Sequence, residues 1–277
     1  MCTDGFFIRL LKALFTAFRR FFADRVLLRC SALSFYSILS IVPMLTVLFA
    51  VSRGLGISEM LRNALYQQFD DYPEAVDFIV RLADNAMANA GTGWLRWSGM
   101  VFLLWSVLTV LRHIERAFNY VWQVQRPRPL LRRFIGYSAF ILTAPPVLAF
   151  SGSLSLSLRY HAGSLTHGIP LLEHVGPLFG TLVPFILVYL LFTFIYVAVP
   201  YTKVRVRPAL AAALVTGTAF QLAENLYIFS QLSISKYSAI YGVFAAVPML
   251  CLWLHLSWII ILFGAELTFA LQNNFEG

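Results

Sequence analysis

Long apolar runs alternate with short charged connections along this chain. Six of the runs are long enough for bilayer-crossing helices, each of which takes about 20 predominantly apolar residues. They run from Ala32 to Ser52, Trp97 to Phe118, Phe134 to Leu158, Pro177 to Val199, Ala209 to Gln231 and Tyr241 to Ala270. Before the first run, Phe7, Leu10, Leu11, Leu14, Phe18 and Phe21 recur at helical spacing, while Arg9, Lys12, Thr16, Arg19 and Arg20 populate the other face. Such a segment is expected to lie in the headgroup zone of one leaflet, apolar side down. It serves either as an anchor that sets orientation or as a recognition surface for anionic lipid. The connection from Arg53 to Leu95 is long for a helix bundle. Within it Ile57, Met60, Leu61, Ala64 and Leu65, then Ala75, Phe78, Ile79, Leu82 and Ala86, recur at helical spacing around Pro73, which predicts two short amphipathic helices.

The expected fold is an all-α integral membrane protein of six transmembrane helices, with an N-terminal amphipathic interfacial helix and short outer-face helices. Residues 1–30 form a basic cytoplasmic segment, 31–271 the transmembrane domain with an outer-face insert at about 53–95, and 272–277 a cytoplasmic tail. No cleaved signal is expected, because the first run begins only after the basic segment.

Composition agrees. The 277 residues are 59% hydrophobic and 12% charged, where soluble proteins carry about 25% charged residues. A polar shell cannot be built from so few charges, and 16% aromatics exclude disorder. The net charge of +8 would suggest nucleic acid in a soluble domain. Here its distribution explains it. Six basic residues precede the first run (Arg9, Lys12, Arg19, Arg20, Arg25, Arg29), six border the second connection (Arg112, Arg116, Arg126, Arg128, Arg132, Arg133), and Lys203, Arg205 and Arg207 lie in the fourth. Fifteen of 21 basic residues therefore share one side, which the positive-inside rule makes cytoplasmic, with both termini. The cysteines, Cys2, Cys30 and Cys251, imply no disulfide framework.

Polar groups inside the runs are the candidates for chemistry, because an uncompensated charge in hydrocarbon is costly. Gln221, Glu224 and Asn225 stand at i, i+3 and i+4, with Gly217 one turn earlier, so Glu224 is expected to face the bundle. This cluster would either bind a proton, cation or polar substrate group, or serve as an inter-helix hydrogen-bond cluster. Glu266, near the end of the last run, is expected to pair with Arg112, Arg116, Arg205 or Arg207. Glu115 and His113, near the same interface, read as structural. Pro43, Pro145, Pro146, Pro184 and Pro248 are candidate kinks, since each removes a backbone donor. Kinked spans line cavities in transporters, yet they also occur in proteins that transport nothing.

Several motifs together resemble the YihY/virulence factor BrkB family of bacterial inner-membrane proteins. They are Arg29-Cys-Ser-Ala-Leu-Ser-Phe-Tyr-Ser-Ile-Leu-Ser-Ile-Val-Pro43, Phe118-Asn-Tyr-Val-Trp122, and Tyr241-Gly with Pro248, Trp253, Trp258 and Gly264-Ala-Glu-Leu267. The likeness covers about residues 20 to 271, with departures at Cys30 and His255. It implies six helices in the cytoplasmic membrane and carries no established functional residues. The family once bore the label ribonuclease BN, a misassignment, and transport of solutes or lipids has been suggested for it.

Three functions compete. The first is a permease or lipid-handling protein of the envelope, with membrane lipids as partners and a small solute or lipid as candidate substrate. The second is a non-transporting structural component of envelope assembly, and the third, least favoured, is a ribonuclease. His161, His167 and His174 are spaced too widely, on the outer side, for a metal-dependent nuclease, and no Gly-rich phosphate loop is present. No cofactor, metal, nucleic-acid partner or enzymatic activity is expected.

Overall fold

An apolar run in lipid must satisfy its backbone polar groups internally, and helices do so. The computed structural model describes residues 3–54, 56, 58–68, 76–77, 80–81, 84–85, 94–124, 185–235 and 242–274, and these are all-helical with their connections, with no strand among them. We number the helices α1 (Thr3–Ala23), α2 (Val26–Gly54), α3 (Ser58–Gln68), α4 (Trp94–Val121), α5 (Phe185–Ala198), α6 (Val206–Ser235) and α7 (Gly242–Asn274). Val206–Tyr227 and Pro248–Asn273 are long and apolar enough to cross a membrane, and α2 supplies a third if its two halves form one bent span. The second expected run lies within α4. The third, and the start of the fourth up to residue 184, lie outside the described residues.

Two compact units divide the chain. In the first, made of residues 1–38, 112–127 and 185–277, α1 and α6 both pack along α7. Small residues dominate the contact: Ala13 and Ala17 of α1, Ala209, Ala212 and Ala213 of α6, and Ala265 and Ala270 of α7 are all buried in one core. Lipid tails are as apolar as side chains, so close backbone approach and dispersion contacts drive helix association here. Gly264 is the tightest position among the described glycines. A Cβ at that position would lie 1.9 Å from the hydroxyl of Tyr196, itself fully buried.

This packing corrects the expected face of α1. Leu10, Leu14 and Phe21 do turn inward, but the docked stripe is centred on Ala13 and Ala17, while Leu11 and Phe18 are exposed together with Ile8, Phe15 and Phe22. The exposed five recur at three- and four-residue steps, a continuous stripe on one side of a helix. Periodicity marks the most apolar face, whereas the neighbouring helix selected the flattest one.

The helix ends are closed by unusual residues. Arg25, in the turn between α1 and α2, and Gln123, after α4, both have left-handed backbone, with φ of 51° and 55°. At the second turn the amide of Val124 donates to the carbonyl of Asn119 at 2.8 Å, the six-to-one bond of a Schellman cap.

The described residues of the second unit include α3 and most of α2 and α4. Phe49, Leu61, Val76 and Val80 form its small apolar cluster, with Leu48 and Leu65 against it. Asp84 accepts from both Arg53 and Arg62 at 2.7 Å, so this acidic residue of the insert is engaged in an ion-pair triplet. The Tyr66 hydroxyl donates to the Asp77 carboxylate, and that hydrogen bond raises the phenol above its ordinary pKa. The first expected amphipathic helix of the insert is therefore α3. The second is described only in the helical pairs 76–77, 80–81 and 84–85.

Of the candidate kinks, Pro43 coincides with a 48° bend between Val26–Ile41 and Pro43–Gly54. Pro248 sits within α7, near its start. Pro145, Pro146 and Pro184 lie outside the described residues.

Candidate functional site

Three groups of polar contacts stand out among the described residues of the first unit. One lies between α2 and α7. Ser34 donates its hydroxyl hydrogen to the Cys30 carbonyl at 2.7 Å and meets Nδ1 of His255 at 3.4 Å. A hydroxyl has a single hydrogen, so the imidazole acts as donor in the second contact. One turn along, Nε1–H of Trp258 donates to Oγ of Ser37 at 3.0 Å, and the thiol of Cys30 points to the Trp258 carbonyl at 3.6 Å. Serine hydroxyls at helical spacing thus meet an imidazole and an indole across an apolar helix pair. Composition alone gave no signal for this seam. Its trace was the pair Ser34 and Ser37 within the run Cys30-Ser-Ala-Leu-Ser-Phe-Tyr-Ser37, three residues apart and so on one side of α2.

The second group gathers around Arg20. Its Nε donates to Oε2 of Glu266 at 3.0 Å and its Nη2 to the Val121 carbonyl at 3.2 Å. Asp24 stands 3.6 Å away, and the guanidinium carbon lies 4.0 Å from the Phe269 ring centroid. One side chain of α1 therefore holds the ends of α4 and α7. The Glu266 side chain is 0% exposed, and its Oε1 has no hydrogen-bond partner among the described residues. Pairing with Arg112, Arg116, Arg205 or Arg207 was the expectation. Arg20 takes that place because docking of α1 along α7 carries it to Glu266.

The third group is the motif Phe118-Asn-Tyr-Val-Trp122. Phe118 and Trp122 are buried, and Trp122 meets Phe269 edge-on at 5.4 Å. Asn119 accepts from the amide of Tyr201 at 2.7 Å and donates to the buried Glu115 at 3.4 Å, which fixes the turn after α5. Gln272 closes the same connection, accepting from the amide of Arg205 at 2.9 Å and donating to the Lys203 carbonyl at 3.2 Å. Tyr120 carries the guanidinium of Arg29 over its ring at 3.5 Å, and Tyr36 stacks on His113 at 3.8 Å.

The expected cluster on α6 is not closed. Gln221 is buried, 7% exposed, and its Nε2 lacks a partner among the described residues. Glu224 and Asn225 are exposed, contrary to the expectation that Glu224 faces inward, and the Asn225 amide folds back onto the Gln221 carbonyl at 2.9 Å. A helix turns 100° per residue, so positions three and four apart share a side only broadly, and the edge of the packed face falls between 221 and 224. Gly217 contacts α5 instead, where a Cβ would lie 2.6 Å from the Tyr189 ring. Polar pairs Tyr189–Thr218 and Tyr196–Thr216, each at 2.9 Å, join α5 to α6 nearby. No group of three or more metal-ligating side chains occurs among the described residues.

Comparison with known proteins follows this geometry. The family model described as virulence factor BrkB matches residues 17–277. A UPF0761 membrane protein of Pseudomonas paraeruginosa is 34% identical over 259 residues, covering 92% of this chain and 61% of its own length. Another, of Chromohalobacter salexigens, is 36% identical over 264 residues, covering 93% of this chain and 62% of its own. A shorter UPF0761 membrane protein of Aeromonas salmonicida is 32% identical over 251 residues and is matched over 85% of its length. This chain thus spans about three fifths of the first two relatives. No solved structure matches it.

Proposed function

This chain belongs to the virulence factor BrkB family of membrane proteins, and from that premise we propose that it is a non-enzymatic permease or lipid-handling protein of the bacterial inner membrane, with six spans and both termini in the cytoplasm. The observation that carries the reading is the polar seam between α2 and α7. Two serines, an imidazole and an indole nitrogen meet between α2 and α7, two helices that are apolar over most of their length. Such groups are costly in hydrocarbon, which favours a role beyond packing. The exposed stripe of α1, with Lys12 and Arg19 also exposed on that helix, suits the inner leaflet's interface.

Flux through proteoliposomes tests the reading. Labelled phospholipid and candidate polar solutes are offered to the wild type and to His255→Leu, Glu266→Gln and Glu224→Gln. Wild-type flux is expected, falling to a small fraction in His255→Leu with the protein still folded. Equal flux in all three variants would remove the polar seam and both carboxylates from the mechanism. The second reading, a non-transporting envelope component, is favoured by the Arg20 clamp, which reads as a device for rigidity. It requires no flux at all while a cellular phenotype persists.

Orientation is tested separately with reporters fused to each end. Both are expected to give cytoplasmic signal, and a periplasmic signal from either end defeats the positive-inside assignment.

A further inference from the structure

The seam between α2 and α4 carries a cation that has no carboxylate partner among the described residues. Arg29 is half-buried at the start of α2, its guanidinium stacked on the face of Tyr120. Stacking occupies the flat face of the group and leaves its edge, with five N–H donors, free for an acceptor. No carboxylate lies within ion-pair distance of it among the described residues.

A second cation stands on the same seam. Arg29 meets Tyr120, and Tyr36 meets His113, so a step of seven residues up α2 matches a step of seven down α4. The two helices are antiparallel and in register there. Arg116, three residues after His113 and four before Tyr120, falls between the two contacts on that side of α4, exposed and likewise without a carboxylate partner among the described residues. The neighbouring acid, Glu115, is buried and turned to Asn119.

Beside Arg29, on the adjoining face of α2, Leu28, Ala32 and Phe35 are exposed and lead along the helix. An unpaired guanidinium fork, a second cation about one turn away along the seam, and an apolar track leading from them match the three parts of one ligand. We propose that Arg29, Tyr120 and Arg116 form a binding site for the phosphodiester headgroup of an anionic phospholipid, whose acyl chain lies along Leu28, Ala32 and Phe35. Planar guanidinium groups recognise phosphate through paired hydrogen bonds, and the stack on Tyr120 holds the fork in place beforehand. The site rests on the lipid-handling form of the function above and names the lipid class.

The test is retention of dioleoyl phosphatidylglycerol by the full chain in detergent, read by native mass spectrometry, with dioleoyl phosphatidylcholine as the neutral comparison. Wild type is expected to prefer the anionic lipid. Arg29→Gln should weaken it about tenfold or more, the value of a hydrogen-bonded charge contact. Arg116→Gln, an exposed substitution that leaves packing intact, should weaken it about fivefold. Arg29→Lys keeps the charge and loses the fork, and should fall between wild type and Arg29→Gln. Lys203→Gln, which removes an equal charge from a loop, should change nothing. Equal losses in Arg29→Gln and Lys203→Gln would reduce the effect to diffuse surface charge and overturn the site. So would unaltered binding in Arg116→Gln together with Arg29→Lys, equal retention of the neutral lipid, or displacement of the lipid by millimolar inorganic phosphate. The two proposals fail separately. Flux without Arg29-dependent lipid retention sinks only the headgroup site, and retention without flux sinks only the transport reading.

Discussion

Arg20→Ala is expected to destabilise the protein by about 3–5 kcal/mol, the usual cost of removing one partner from a buried ion pair. Thermal unfolding in detergent, followed by tryptophan fluorescence, would record the loss. The reason lies with what remains. Glu266 is wholly buried, and one of its oxygens already lacks a hydrogen bond among the described residues, so without Arg20 its charge has no cation in contact. Arg20→Lys is expected to recover only part of the loss, since an ammonium cannot reach Glu266 and the Val121 carbonyl together while lying flat on Phe269. Replacing both partners, as Arg20→Met with Glu266→Leu, should return most of the stability, because two charges are then no longer buried. A double variant as unstable as Arg20→Ala would show that the clamp matters for shape and not for charge.

The second large effect is expected at Gly264. A methyl group there would overlap the Tyr196 hydroxyl at 1.9 Å, its ring carbon at 2.5 Å and a methyl of Thr216 at 2.9 Å, all in a fully packed crossing of α5, α6 and α7. Tyr196 is fully buried, so swinging aside would break its bond to Thr216 where water does not replace it. Gly264→Ala should therefore cost about 3 kcal/mol, at the upper end for overpacking. Adding Tyr196→Phe removes the closest atom and should restore part of that stability, so the two substitutions are non-additive. Gly264→Ala with wild-type melting behaviour would mean that the crossing opens freely, against the packing described above.

Much of the helical layout is legible from hydropathy, because a span has one dominant physical requirement. The expected run 209–231 falls inside Val206–Ser235, and all of the run 241–270 except its first residue falls inside Gly242–Asn274, each helix continuing a few residues beyond the C-terminal end of the apolar stretch. The extra residues are polar or charged, such as Arg207 and Gln272, which a hydropathy window cuts away and a helix carries easily into the interface. The site was less legible, for a different reason. Glu266 was recognisable as costly, but its partner depended on which helix docks beside it, and Arg20 is far away in sequence. The inward turn of Ala13 and Ala17 was hidden because small residues contribute little to an apolar pattern while deciding how near two helices can come. His255 drew notice only as a departure from the family's usual aromatic, and its contact with Ser34 needed the pairing of α2 with α7.

The bond between Arg20 and Glu266 joins residues 246 positions apart. Synthesis runs from the N-terminus, so α1 is made well before α7, the helix it packs along, has entered the bilayer. Until then Ala13, Ala17 and Arg20 lack the α7 partners they meet in the folded chain. α1 is thus made early and locked late, and a chain cut short before α7 would leave α1 without that seat.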